Sequence, residues 1–342
     1  MSSPVADSWK EALKLYGNIA SQAIQFYPHL AQASVELLNY SENATYLVRK
    51  PSADGEEKYI LRVNKPGYHT KEEIAGELAW LKTIRDLSRF EVAMPIAGKN
   101  GEYIQTVNLP NDPRDYYCIL FTFLDGEAPD ENKEGELIPQ FETLGEITAH
   151  LHEHSIRNHV RFASIKRLTW DYENILGEKP KWGRWQDGKG ITPERRELFE
   201  RVSQTIQKRL EKFGKDPTRF GLIHSDLRLA NLLISGQQIK VIDFDDCGFG
   251  WYLYDLATAL SFIEHKPYVP ALVQSWLKGY RKVRPLSEEE EREIPTFIMM
   301  RRLQLIAWIG SRENETALQL GEKYSEDSDL LARNYLLDMQ ES

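Results

Sequence analysis

The chain has 342 residues, with 52 acidic and 43 basic side chains, a net charge of −9, 28% charged residues and 41% apolar ones. That composition is that of a soluble globular protein and argues against a disordered chain. The acidic balance argues against a general nucleic-acid binder, which needs a cationic surface, and two distant cysteines, Cys118 and Cys247, exclude a disulfide framework and fit a reducing cytoplasm.

At ~150 residues per domain the length predicts two domains or one two-lobed body. Residues 1–10 carry Asp7 and Lys10 and no apolar core, so no signal peptide is expected. The most apolar stretches, 252–263 and 297–309, are interrupted by Asp255 and by Arg301 and Arg302. Neither approaches the ~20 apolar residues of a membrane span.

Taken in chain order, Trp9, Leu13, Tyr16, Ala20, Ala23 and Ile24 repeat at helical spacing. Residues 35–38, 45–48 and 59–63 are rich in β-branched and aromatic side chains and read as strands, with Asp54-Gly55 marking a hairpin turn. A helix follows over 70–84, with Thr70 as N-cap and Ile74, Leu78, Leu81 and Ile84 on one face. Further strands are expected at 103–107 and 118–124. After Asp125-Gly126 the pattern changes: Phe141, Leu144, Ile147, Thr148 and Leu151 form a helical stripe. Residues 171–193, with their glycines and prolines, read as a long loop, and 194–213 as an amphipathic helix. Buried strands are expected at 222–223 and 239–244, and mostly helix beyond 254. The expected architecture is α+β: a small antiparallel β lobe with one helix over 1–118, including a helical extension at 1–34, then a hinge at 119–126 and a larger, mainly helical lobe over 127–342.

Chemistry concentrates in two short segments. Leu222-Ile223 leads into His224-Ser225-Asp226, and Asn231 lies five residues beyond Asp226. A second apolar run, Val241-Ile242, ends at Asp243. Phosphoryl transfer needs these types: a carboxylate to orient an attacking hydroxyl and take its proton, and an amide oxygen with a second carboxylate to hold Mg²⁺ on nucleotide phosphates. The D-x-x-x-x-N spacing followed by an aspartate at a strand end matches a kinase catalytic loop and metal aspartate.

On these residues the chain resembles the aminoglycoside phosphotransferase and choline kinase superfamily, the small-molecule branch of the protein-kinase-like fold. His224-Ser225-Asp226 with Asn231 resembles its catalytic loop, Val241-Ile242-Asp243-Phe244-Asp245-Asp246 its metal motif, and Tyr254-Asp255-Leu256-Ala257 its downstream helix start. The resemblance implies Asp226 as catalytic base, Asn231 and Asp243 as Mg²⁺ ligands, His224 as a brace rather than a reacting group, and Asp255 as an anchor of the loop. Residue by residue, an N-cap is the default role of Asp255, and Asp245 and Asp246 read equally as turn formers or as contacts to a second Mg²⁺ through water.

The kinase pattern also needs a strand cation for the α- and β-phosphates and a helix glutamate to aim it. Arg62 and Glu77 are the candidates for those places, with Glu72 and Glu73 as competitors on the same helix, and a surface strand arginine with a solvated helix glutamate is the competing reading. A glycine-rich loop is missing. Ser41 and Asn43, in the glycine-free segment 41–45, stand where phosphate would be cradled, and a plain hairpin turn is the competing reading. Phe121 and Phe123 in the hinge segment are candidate walls for the adenine, against the usual reading of a buried strand aromatic.

The acceptor is expected beside Asp226. Trp170-Asp171, at the mouth of the long loop, pairs an aromatic with a carboxylate and suits an amino or ammonium group. Trp276 and Trp308 read as core. His150, His152, His154 and His159 lack a metal-ligand pattern and read as an exposed helix C-terminus, and residues 287–293 as the solvated start of a helix. The expected function is an ATP- and Mg²⁺-dependent phosphotransferase acting on a hydroxyl of a small, amino-bearing molecule, with aminoglycosides, homoserine, choline and related amino alcohols all implied by the resemblance. A protein Ser/Thr kinase and a non-catalytic nucleotide-binding pseudokinase are the rivals; only ten residues, 244–253, separate Asp243 from the next helix start, and no A-P-E motif closes them.

Overall fold

The computed structural model describes residues 4–340 apart from 42, 54, 86, 88, 131, 132 and 313. Glu42 of the glycine-free segment and Asp54 of the expected turn therefore lie outside the described residues. The chain divides into two compact units, Met1–Asp86 with Glu91–Asp125, and Leu87–Phe90 with Gly126–Ser342.

In the first unit, α1 (Pro4–Ala23) leads to β1 (Ser34–Tyr40), β2 (Asn43–Ser52), β3 (Gly55–Asn64), α2 (Lys71–Ile84), β4 (Glu91–Val92), β5 (Pro95–Ile96), β6 (Gln105–Leu109) and β7 (Asp112–Thr122). The sheet runs β1-β2-β3-β7-β5, with β6 also on β7, and every one of these pairs is antiparallel. Tyr46, Leu61 and Leu120 are opposite one another across three strands. With Ala44, Val48, Val63 and Cys118 they share one core with Tyr16, Ile19, Ala20 and Ala23 of α1. The N-terminal helix thus closes one face of the sheet and is no mere extension. Because side chains alternate along a strand, the next row, Thr45, Arg62 and Ile119, takes the opposite face.

Helix α2 starts where the sequence predicts. Thr70 accepts from the Glu73 N–H while the Glu73 carboxylate accepts from the Thr70 N–H, a reciprocal capping box. The strand expected at 103–107 is shifted to β6, since Gly101, at φ +80°, turns the chain and the Gln105 side chain donates to Glu102 O at 2.6 Å. Strand β7 ends at Thr122, whose backbone and hydroxyl both bind Met94.

The second unit contains α3 (Glu134–Arg157), α4 (His159–Phe162), β8 (Leu168–Trp170), α5 (Tyr172–Leu176), α6 (Pro193–Phe213), β9 (Phe220–Ile223), β10 (Leu232–Ser235), β11 (Gln238–Val241), β12 (Gly248–Trp251) and α7 (Leu253–Ala259). It ends with α8 (Val269–Tyr280), α9 (Glu288–Arg292), α10 (Ile294–Gly310), α11 (Glu315–Leu320), α12 (Lys323–Glu326) and α13 (Ser328–Asp338). Strand β12 lies between β8, to which it is parallel, and β9, to which it is antiparallel. Strands β10 and β11 form a hairpin that pairs Leu232 with Val241 and Ser235 with Gln238.

Helices α3 and α8 touch backbone to backbone. A Cβ on Gly279 would stand 1.8 Å from Glu142 O, and one on Gly145 would stand 2.0 Å from Trp276 O. Glycine is required here by approach, not by φ. Two expectations are corrected in this unit. Residues 171–193 are not an open loop: α5 and a 3-10 turn at Trp185–Asp187 occupy them, anchored by the buried Trp182 and Trp185. The acidic run at α9 is not wholly solvated either, since buried Glu290 and Glu293 pair with Arg284 at 3.0 Å and Arg209 at 2.7 Å. Among the described residues no helix is long and apolar enough to cross a membrane.

Candidate active site

Strand β9 delivers the segment 224–231, and the backbone there is held by one buried carboxylate. Asp255 on α7 accepts the His224 N–H at Oδ2 (3.1 Å) and the Ser225 N–H at Oδ1 (2.6 Å). Ser225 sits at φ +68°, a left-handed conformation that side chains other than glycine rarely adopt. The carboxylate bonds keep it there. Asp255 is therefore not the N-cap its position suggested, because the cap position of α7 is Tyr252, without a side-chain bond.

Asp255 has a further partner that the sequence reading missed. His152 of α3 is fully buried, with Nε2 3.0 Å from Asp255 Oδ2 and Nδ1 2.8 Å from the Tyr280 hydroxyl. This corrects the view of 150–159 as an exposed histidine-rich helix end. Burial lowers the His152 pKa, countered in part by Asp255, a net shift that favours the neutral ring. It then donates from Nε2 and accepts from Tyr280.

His224 is buried as well. Its Nε2 donates to Ile242 O at 3.1 Å and its Nδ1 accepts the Asp226 N–H at 3.3 Å. Desolvation lowers its pKa, and both ring nitrogens are engaged with backbone. The geometry is that of a brace joining the segment to the 241–243 turn.

Asp226 emerges from this frame with its side chain 21% exposed. Asn231 Nδ2 donates both to its backbone O (2.8 Å) and to its Oδ2 (3.1 Å). Arg301 Nη2 donates to its Oδ1 at 3.1 Å, and Arg228 Nε lies 3.5 Å from the same oxygen. Arg301 went unassigned in the sequence reading, although two adjacent arginines inside the apolar stretch 297–309 are themselves a signal. Buried charges must be paired, and this pair divides. Arg302 turns to Glu264, Ser328 and the Tyr324 carbonyl, whereas Arg301 turns to Asp226.

The hairpin brings Asp243 back to the same segment. Ile242 N–H donates to Asn231 O at 3.0 Å, and the expected strand 239–244 stops at Val241 because Asp243 turns out at φ +63° with an exposed side chain. The carbonyls that follow are clamped: Arg167 donates to Asp245 O and Cys247 O, and the Trp170 indole N–H donates to Asp246 O at 2.7 Å. Asp245 is buried and Asp246 partly so.

Trp170 and Asp171 depart from their expected role. Trp170 is 1% exposed and packs edge-on against Trp182, so it presents no open ring to a ligand. Asp171 caps α5 by accepting the Asn174 N–H and pairs with Lys215 at 2.6 Å. Trp276 is core, stacked on Tyr280, whereas Trp308 is partly exposed and lies 5.9 Å from the Phe262 ring.

In the first unit, Arg62 and Glu77 meet as a buried two-pronged ion pair, Nη1 to Oε1 at 2.9 Å and Nη2 to Oε2 at 2.6 Å. The planar fork of arginine suits this parallel contact. Glu73, one of the expected competitors, is committed to the capping box. Phe121 is buried with the Arg62 guanidinium 5.2 Å from its ring centre, while Phe123, just past β7, is partly exposed under Lys58. Asn43 begins β2, and its Oδ1 accepts the Lys65 N–H at 3.2 Å, which makes it part of the strand end. Ser41 is exposed and its N–H donates to Asn43 O.

The sequence profile of the phosphotransferase enzyme family matches residues 35–286. A structure of a microcompartment-associated aminopropanol kinase is 41% identical, with a TM-score of 0.83, covering 94% of this chain and 98% of that one. The amicoumacin kinase of Bacillus subtilis (strain 168) is 23% identical over 278 residues, 79% of this chain and 77% of that protein. The amicoumacin kinase hAmiN, solved in complex with AMP-PNP, Ca²⁺ and Ami, is 21% identical with a TM-score of 0.72, covering 100% of this chain and 97% of that one. The protein-kinase-like α+β fold is common to these structures and this chain.

Proposed function

Because this chain belongs to the phosphotransferase enzyme family, we propose that it moves the γ-phosphoryl group of ATP to a hydroxyl of a small amino alcohol, with Mg²⁺ as the metal. The observation that carries this reading is the Asp226 carboxylate, fixed on one oxygen by Asn231 and on the other by Arg301 yet still open to solvent. A carboxylate so held can take the acceptor's hydroxyl proton as the oxygen attacks phosphorus and the bond to ADP breaks.

Asn231 and Asp243 fit a hard cation. The Asn231 amide nitrogen is engaged by Asp226, so its oxygen is the atom left for a metal, and Asp243 adds an exposed carboxylate. Bound there, Mg²⁺ neutralises phosphate charge. Arg62, aimed by Glu77, grips the α- and β-phosphates. Phe123 is the adenine wall and Phe121 the support of Arg62. Of the glycine-free segment, Ser41 is a phosphate contact, and Asn43 belongs to the strand end.

The choice of a short amino alcohol rests on two supports. Identity to the aminopropanol kinase is 41%, against 23% and 21% to the amicoumacin kinases. Arg228, 3.5 Å from Asp226, lies 5.9 Å from the ring of Phe262, which is held at φ +73°; with that face turned to a cation, the partly exposed ring of Trp308 beside it is the aromatic surface that suits an ammonium group. Phe262 and Trp308 replace Trp170 and Asp171 as acceptor walls.

A protein kinase is disfavoured by the segment after Asp243. It is not a free activation loop: it contains β12, where a Cβ on Gly248 would stand 2.5 Å from Leu168 O. The test is an ATP-consumption screen over amino alcohols, choline, homoserine and aminoglycosides, with Asp226→Asn as control. Turnover on a short amino alcohol, lost in Asp226→Asn, supports the reading. Nucleotide binding without turnover on any acceptor overturns it in favour of a pseudokinase.

A further inference from the structure

We infer that Arg301 is a positioning residue for Asp226, setting the direction in which the carboxylate meets the acceptor hydroxyl. The inference rests on the reading of Asp226 as the base, and the test below separates the two.

Arg301 is 2% exposed in the middle of α10, and each arm of its guanidinium has a partner. Nε donates to Ser261 Oγ at 2.9 Å, Nη1 to Gln304 Oε1 at 3.1 Å and Nη2 to Asp226 Oδ1 at 3.1 Å. The partners are themselves fixed. Ser261 Oγ donates to Thr258 O at 2.6 Å, Gln304 Oε1 also accepts from Tyr254, and the Trp182 ring lies 5.2 Å from the guanidinium carbon. A planar group pinned at three points cannot rotate without breaking a bond, so its third arm has one direction.

That direction matters because Asp226 has a second clamp. Asn231 holds Oδ2 from within the same segment, and Arg301 holds Oδ1 from a helix 75 residues away. Two donors on two oxygens fix the carboxylate plane, which a single donor leaves free to swing. Structure alone does not explain a buried arginine at this place. An apolar side chain would fill α10 with lower desolvation cost, and the adjacent Arg302 already ties α10 to α12 and α13 through Tyr324 and Ser328. Arg228 does not duplicate the role, because its Nε is 3.5 Å from Asp226 and its side chain is 26% exposed.

The experiment measures kcat, KM for Mg-ATP, KM for the acceptor and melting temperature in Arg301→Met, Arg301→Lys and Ser261→Ala, with Asp226→Asn and the double variant Asp226→Asn/Arg301→Met. A misplaced catalytic group costs about a hundredfold in rate. Arg301→Met is expected to lower kcat by that order with KM for Mg-ATP within about twofold. Arg301→Lys keeps the charge but not the fork and should stay at least about tenfold down. Ser261→Ala removes one peg and no charge and should lose about threefold in kcat, which keeps the test available if Arg301→Met folds poorly. In the Asp226→Asn background, Arg301→Met should have no further effect on kcat. Parental kcat in Arg301→Lys and Ser261→Ala overturns the inference while leaving Asp226 as base. Full turnover in Asp226→Asn overturns the base reading itself.

Discussion

The Ser225 backbone nitrogen stands 2.6 Å from Oδ1 of Asp255, and that bond holds a serine in left-handed backbone. Strain one residue before the proposed base is thus supported by a buried carboxylate from a helix further along the chain. Ser225→Gly, which relieves the strain, is expected to keep turnover within about threefold. Ser225→Val, with a β-branched side chain where φ is positive, is expected to lose about 1–3 kcal/mol of stability and most activity. Urea unfolding and steady-state rates check both.

Asp243→Asn is expected to leave melting temperature within a few degrees and Asp226→Asn, which removes the counter-charge of buried Arg301, to lower it; both are expected to cut turnover to a small residual rate. Asparagine is the better probe at 243, since it tolerates the left-handed backbone that alanine does not. Retained turnover in Asp243→Asn with saturating Mg²⁺ would remove that residue from the proposed metal set.

Breaking the Arg62–Glu77 pair strands a buried charge, with Glu77 1% and Arg62 9% exposed at the side chain. Loss of one partner of a buried pair costs about 3–5 kcal/mol. Glu77→Ala is expected to unfold at lower temperature and to bind a non-hydrolysable ATP analogue at least tenfold more weakly by calorimetry.

His152 gives a pH dependence with a definite sign. Burial depresses its folded pKa below that of the free side chain, so the unfolded chain takes up the proton first. The stability gained by keeping the ring neutral is present above the unfolded value, near ~6.5, and falls as pH drops through it toward the folded value. Urea midpoints measured between pH 5 and 8 are expected to decline on the acid side, and less steeply in His152→Gln.

Gly279→Ala brings a methyl group to within 1.8 Å of Glu142 O unless the helices separate. Overpacking of this kind costs about 1–3 kcal/mol and occasionally more, so thermal melting should fall, whereas Gly17→Ala, inside α1 with open space around it, should be neutral or stabilise by up to ~1 kcal/mol.

Much of the fold was legible because its signals are local. The β1–β3 strands, the Thr70 cap and the run from Asp226 through Asn231 to Asp243 each lie in one continuous stretch of chain. What escaped was set by partners far away in the chain. His152 looks like any histidine near a helix end until α7 supplies Asp255, 103 residues on. Arg301 looks like an interruption of an apolar run until Asp226 is beside it. Trp170 and Asp171 were misread in the other direction: glycines and prolines around them suggested an open loop, but buried tryptophans hold that segment as packed structure.

The β10–β11 hairpin has a consequence for how this enzyme can change length. Asn231 and Asp243 are neighbours because Ile242 N–H binds Asn231 O at the open end of the hairpin, and the number of residues between them does not enter that contact. The far end turns at Gly236, φ +61°, in solvent. Two more rungs, a peptide tag or a fluorophore could be spliced in at 236–237 without altering the separation of the two proposed metal ligands, making the tip a natural handle for reporting on the site.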